Sequence, residues 1–280
     1  MVAFLLILFA GALLAGFIGS LTGLGGGVVM VPLLTLGFGV DIRYAIGASL
    51  VSVIATSSGA ASAYLKEGLL NIRIGMFLEI ATSLGAIAGA VIAVYAPTHI
   101  VAIIFGMVLI YSSLTSFRKA REPEINFVSE KKPSRMVEML KAKGSYISEG
   151  VKKDYSIQHV GSGFMVMSLA GILSGLLGIG SGALKVIAMD TIMKIPFKVS
   201  TSTSNFMIGV TAAASAGIYL NRGYIDPLLS MPVIIGVLTG SLAGAKILLK
   251  AQTQSIRIVF AIVIALLALE MIYNGISKNI

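Results

Sequence analysis

An internal duplication constrains this chain more than any other feature. At a shift of 155 positions, AGFIGSLTGLGGGVVMV from Ala15 lies over AGILSGLLGIGSGALKV from Ala170 without a gap. Of the 76 positions from Ala15 to Ala90, 19 are identical to the residue 155 further on, among them Gly16/Gly171, Gly25/Gly180, Gly27/Gly182, Ser49/Ser204, Thr56/Thr211, Tyr64/Tyr219 and Gly89/Gly244. Chance matching in so biased a composition gives roughly a tenth, so the excess marks two copies of one unit. An apolar, glycine-broken unit present twice is the pattern of a transporter with a pseudo-twofold site.

The solvent for that unit is a bilayer. With 56% hydrophobic residues, 12% charged residues and a mean hydropathy of +0.96 over 280 residues, the chain has too little charge to cover a soluble globule. The first charge is Asp41, and Tyr44–Leu65, Ile100–Phe117, Val160–Leu184, Val199–Asn221 and Pro227–Ala245 are also free of charge. Each is near or above the ~20 residues that span hydrocarbon as a helix. The N-terminal stretch lacks a basic n-region, so it reads as a retained first helix rather than a signal peptide. There is no cysteine, which excludes disulfides, thiolate metal sites and cysteine nucleophiles. The net charge of +9 does not point to nucleic acid: ten of the 21 Lys+Arg fall between Arg118 and Lys153 with five acidic residues, as in a cytoplasmic membrane loop.

Segment lengths predict an all-α polytopic membrane protein made of two inverted repeats of about five helical segments each. The first repeat occupies 1–117, a charged cytoplasmic connector 118–158, and the second repeat 159–280. In the first, LTGLGGG (Leu21–Gly27) breaks a helix, and Pro32 opens or kinks a half-length one that ends at Gly37–Gly39. Helices about Tyr44–Leu65, Ile74–Tyr95 and Ile100–Phe117 follow. The second half repeats the order as Val160–Leu177, a glycine turn, about Ala183–Lys194, then Val199–Asn221, Leu228–Lys250 and Ile256–Tyr273. In the connector, Ser134–Lys143 reads either as a short amphipathic helix on the membrane face or as a solvated link.

An odd number of segments per half turns one copy upside down. With the connector in the cytoplasm, Lys66, Arg73, Lys194, Lys198, Lys250 and Arg257 fall inside and Arg43, Arg222 and Lys278 outside, so both termini face outward. If the short pieces dip in and out without crossing, the count drops from ten membrane segments to eight, and inversion must come from the broken elements themselves.

GxGGG at Gly23–Gly27, the downstream Val31-Pro32 and a second glycine cluster at Gly178–Gly182 resemble the TauE/SafE sulfite-exporter family of membrane permeases. The resemblance covers nearly all of the chain apart from the connector. It implies a multi-pass permease of the cell membrane that moves a small sulfur-containing anion, such as sulfite or an organosulfonate. The second copy departs from the pattern: it reads GIGSG, has Ile187 where the first has Pro32, and carries Lys185 where the first has Met30.

The residues point the same way. Glycines at a helix break expose backbone N–H groups, and the short helix that follows has a positive N-terminus. Gly25, Gly26 and Gly27 with Gly180, Ser181 and Gly182 therefore form a candidate anion cradle. The alternative is that glycines only let helices approach, which is the reading favoured for Gly85/Gly240 and Gly89/Gly244. Lys185, three residues past the second turn in an apolar stretch, either neutralises substrate, snorkels to the interface or pairs with Asp190. Ser49, Ser204 and Asn205, in matching hydroxyl-rich stretches, are candidate oxyanion donors, against back-bonding to their own helix. Glu79 and Asp190 are candidate coupling groups; Glu79 also reads as a snorkelling or Arg73-paired carboxylate, and Asp190 stands at i, i+4 from Lys194.

These residues predict a secondary permease working by alternating access at a midplane site, with a small sulfur-containing anion and membrane lipid as partners, a homo-oligomer left open, and no cofactor or metal. There is no G-x-x-x-x-G-K-[ST] motif. The rivals are a membrane subunit that scaffolds a larger complex through its connector and an intramembrane enzyme. Against the enzyme, no H-E-x-x-H and no histidine falls within a span.

Overall fold

The computed structural model describes residues 2–22, 25–66, 69–121, 144–148, 151–250 and 253–277. In chain order the helices are α1 (Val2–Thr22), α2 (Gly27–Pro32, continued by a π turn over Leu33–Gly37), α3 (Ile42–Lys66), α4 (Ile72–Tyr95) and α5 (Thr98–Arg121). A short antiparallel hairpin of β1 (Gly144–Ser148) and β2 (Val151–Tyr155) precedes α6 (Val160–Leu177) and α7 (Gly182–Ile187, continued by a π turn over Ala188–Ile192). Then come α8 (Phe197–Asn221), α9 (Pro227–Lys250) and α10 (Thr253–Ile276). Six of these, α1, α3, α4, α5, α6 and α9, are long and apolar enough to cross a membrane.

The duplication holds to the residue. Adding 155 to Gly27–Pro32 gives Gly182–Ile187, to Ile42–Lys66 gives Phe197–Asn221, and to Thr98–Arg121 gives Thr253–Ile276, which are the observed bounds of α7, α8 and α10. The π turns coincide as well. Since one follows Pro32 and the other Ile187, the missing proline N–H does not by itself cause the widening. Ends are set locally: Asn71 accepts from the Ile74 N–H at 3.3 Å to cap α4, and Gly178, at φ +67, closes α6 by donating to the Ser174 carbonyl at 2.8 Å.

Contacts between the halves fix their relation. The self-equivalent helices α3 and α8 run antiparallel: Gly47 of α3 meets Tyr224 beyond the end of α8, whereas Ser57, ten residues on, donates to the Phe206 carbonyl at 3.2 Å. Likewise α5 and α10 are antiparallel, with Gly106 against Ala268 and the Ser113 hydroxyl on the Ala261 carbonyl at 2.6 Å. Because 113 + 155 = 268 and 106 + 155 = 261, those two contacts are images of each other. Helices that are each other's symmetry mates and cross antiparallel require a twofold axis perpendicular to them, hence in the membrane plane. The repeats are inverted.

The remaining packing is helix on helix through glycine. Gly85 and Gly89 of α4 lie against the backbone of Ser168 and Ile172 of α6, and Gly240 and Gly244 of α9 lie against Leu13 and Phe17 of α1. These are the same contact twice, with backbones close enough that a Cβ would strike main-chain atoms. Apolar side chains such as Leu14, Ile80, Leu84, Leu169 and Leu266 point outward, as a lipid-facing rim does. The Ile42–Ser62 stretch of α3 is 72% buried against 39% for Phe4–Leu21 of α1, so α3 and its mate α8 form the centre.

The charged connector differs from the expected solvated link at both ends. Helix α5 continues to Arg121, and the β-hairpin closes against the helix ends rather than standing free. Tyr155 and Ile157 are buried with Ile74, Met189 and Met193, and the Asn71 amide donates to the Tyr155 hydroxyl at 2.9 Å. Burial pushes that hydroxyl up to about 12; the Asn71 bond acts against the shift and the nearby Tyr146 adds to it. The Ser134–Lys143 stretch lies outside the described residues.

Candidate functional site

Each half opens with a hairpin of a long and a short helix. Phe4 stacks edge-on against Phe38, the Gly11 backbone meets Leu33, and the Gly25 N–H donates to the Gly19 carbonyl at 3.3 Å, so α2 doubles back along α1. The glycine turn is the apex. Gly25 (φ +76) and its mate Gly180 (φ +67) each lie against both Val53 and Ile208, themselves mates on α3 and α8. The two apices thus meet at the crossing of the central helices, midway along both. The positive φ explains glycine at these two positions, and a side chain there would also have to enter the Val53–Ile208 contact.

Around the apices the expected residues come together, with changed roles. Gly26 (φ −65) faces the hydroxyls of Ser52 and Thr56, and Gly27 lies beside Ser49 and the Gly178 carbonyl. The Ser49 hydroxyl donates to that carbonyl at 2.6 Å, and Ser204 donates to the Gly182 carbonyl at 3.3 Å. Both serines therefore tie a turn to the central helix, and their hydroxyl protons are committed to backbone. Gly25 is committed too, through Gly19, which leaves the cradle its other members. Ser181, at φ 46, caps α7 with its hydroxyl buried and unpartnered. The Asn205 amide donates to the Ser20 carbonyl at 3.0 Å, and its Oδ1 has no partner. Gly23 lies outside the described residues.

The charges meet in an unexpected pair. Lys185 is fully buried on α7, and its ammonium lies 3.5 Å from Oε2 of Glu79, which is 4% exposed on α4. Thr211 of α8 bridges them: it accepts from Lys185 and donates to Glu79 Oε1 at 2.5 Å. The Ser83 hydroxyl donates to the same carboxylate oxygen at 2.9 Å. Snorkelling is thereby excluded for both residues, and the partner of Lys185 is Glu79, not Asp190. Glu79 faces Lys185 rather than Arg73. Asp190 sits half-buried in the π turn that continues α7, apart from this cluster.

Only one half carries the pair. The mates of Lys185 and Glu79 are Met30 and Ile234, both part of the apolar core, while Thr211 matches Thr56, so the ion pair stands in one half and apolar residues at the matching positions of the other. The sequence singled out Lys185 and Glu79 separately but did not join them. Ser52, Thr56, Thr211 and Ser83 were not among the candidate site residues read from the sequence. The identity of Thr56 with Thr211 in the duplication was the available signal for two of them. Tyr64 and Tyr219, also identical, prove to be matched latches: each hydroxyl donates to the carbonyl 44 residues earlier, Ser20 at 2.9 Å and Gly175 at 3.0 Å.

Among the described residues, no group of three or more His, Cys, Asp or Glu side chains is placed to hold a metal ion. The arrangement gathers an ammonium, hydroxyls and turn peptides in a buried, central position.

Comparison with known proteins places this architecture. No solved structure matches the chain. The probable membrane transporter protein YunE of Bacillus subtilis is 31% identical over 271 residues, covering 94% of this chain and 96% of that one. YdhB of the same organism, also called a probable membrane transporter protein, is 25% identical over 243 residues, 86% of this chain and 88% of that one. A probable membrane transporter protein of Methanocaldococcus jannaschii is 24% identical over 274 residues and covers 92% of each. The model of the sulfite exporter TauE/SafE family matches residues 8–271, which takes in both hairpins, the central helices and the buried pair, and the chain belongs to that family.

Proposed function

We propose that this multi-pass membrane transporter is a secondary permease for a small sulfur oxyanion, sulfite or an organosulfonate, which binds between the two glycine turns and crosses by alternating access. The observation that carries the reading is Lys185: a fully buried ammonium, one turn past an apex, held by Glu79 and Thr211 where the other half has Met30. A membrane chain keeps charges this costly inside the bundle chiefly where they pair with one another and mark a substrate or ion path. The inverted relation of the halves supports the rest, since rocking one hairpin against the central helices opens one side and the equivalent motion opens the other. Gly26, Gly27, Gly180, Gly182, Ser181 and Asn205 supply the neutral donors, and Glu79 is the coupling group.

The test is transport by pure protein in liposomes offered sulfite, sulfate, thiosulfate and organosulfonates one at a time. Uptake of sulfite or a sulfonate above protein-free liposomes supports the reading. Uptake of none overturns it. Replacing 122–143 with a flexible linker, which keeps α5 and the β-hairpin, separates the scaffold alternative: a permease still transports, and a scaffold loses its partner instead.

A further inference from the structure

We infer that Glu79 is a resident counter-ion which the arriving anion displaces from Lys185, and that Glu79 takes up one proton as it is displaced, so anion and proton enter the site together. This rests on the transport reading above and adds its coupling. The charge count leads to it. Lys185 and Glu79 sum to zero in a site without exposed surface, so an added anion leaves net negative charge in a medium of low dielectric. For a singly charged anion, a sulfonate or hydrogensulfite, a proton on Glu79 restores neutrality with the anion as the new partner of Lys185. The proton comes from water on the side to which the site is open, and it returns when the anion leaves and the pair re-forms.

The geometry allows this exchange. Glu79 Oε2 lies 3.5 Å from the ammonium and is the carboxylate oxygen that no hydroxyl holds, so it is the oxygen to take the proton. Oε1 stays held by Ser83 and Thr211, which keeps the carboxyl in place while its charge changes. Lys185 has three N–H donors and commits one to Thr211. In the other half the matching positions are apolar and join the hydrophobic core, Met30 buried and Ile234 partly buried against it. Arg73 begins α4, His159 precedes α6, Asp190 and Lys194 follow α7, and Lys198 opens α8. The side-chain partners of Lys185 and Glu79 are each other, Thr211 and, for Glu79, Ser83, so the linkage belongs to this pair.

Binding of sulfite and methanesulfonate to purified protein, measured from pH 5 to 9, reads the coupling; the sulfonate has no proton of its own to confuse the slope. Where Glu79 is ionised in the free protein, one proton taken up per anion weakens binding on the order of tenfold per pH unit. Glu79→Gln should lose that slope, bind as tightly at high pH as at low, and carry anion without moving internal pH in liposomes. Glu79→Asp should keep the slope. Should the Gln variant not fold, infrared difference spectra of the unaltered protein decide: anion binding must raise the carbonyl band of a protonated carboxylic acid. A slope or proton flux that survives Glu79→Gln, or no such band in the unaltered protein, overturns the inference while leaving transport intact. If the unaltered protein binds neither anion, or if Lys185→Met binds both normally, the underlying transport reading fails instead.

Discussion

A lysine and a glutamate buried together are tolerated in a membrane protein only while both are present. Removing one partner leaves an unpaired charge at a cost of about 3–5 kcal/mol, whereas replacing both with apolar residues of similar volume is often neutral. The chain carries the control for its own pair. Lys185→Met alone is expected to lower the melting temperature clearly, and Lys185→Met with Glu79→Ile, which installs the residues of the other half, to restore most of the loss. Neither variant should bind anion normally, because the charge-assisted contact is worth about 1.5–3 kcal/mol, or ten- to hundredfold in affinity. Thermal melts with and without sulfite read both effects. Lys185 was legible from the sequence as a charge out of place, but its partner lies 106 residues earlier and the duplication has no charged counterpart to link the two. Periodicity reports which face a residue occupies, not which distant face it meets.

At the scale of elements, glycine has two separate uses. At Gly89 and Gly244 it brings the backbones of α4 and α6, and of α9 and α1, into contact, so alanine there overpacks the interface at about 1–3 kcal/mol and should lower the melting temperature without changing ligand stabilisation. At Gly25 and Gly180 it supplies a positive φ, which alanine adopts at about 1–2 kcal/mol, beside the site itself. Those variants should lose sulfite-induced stabilisation as well. Equal ligand stabilisation in both sets would make the turns packing elements alone. Both helix hairpins were readable because glycine clusters and apolar run lengths are local signals. The β1–β2 hairpin was not: its ten residues have no strand-like run of apolar residues, and what orders it is tertiary, through Tyr155 on Asn71 and Ile157 among the helix ends.

For the molecule as a whole, the duplication foretold inversion, and the antiparallel α3–α8 and α5–α10 pairs show it. Sidedness follows from charge: cysteines placed singly in this cysteine-free chain at Asp41 and Arg118 should react from opposite sides of the membrane, Asp41 from outside. Reaction of both from one side would contradict the odd-segment topology. The central claim is that the anion sits between the two apices against Lys185, and heavy-atom labelling tests it most directly. Crystals grown in lipid with selenite, the selenium counterpart of sulfite, would place the ion by its anomalous scattering. The account expects one strong peak within hydrogen-bond distance of Lys185, between Gly25–Gly27 and Gly180–Gly182, which is absent from Lys185→Met crystals. Selenite transported in liposomes yet bound only at the membrane surface, or at the centre with Lys185→Met unchanged, would contradict it.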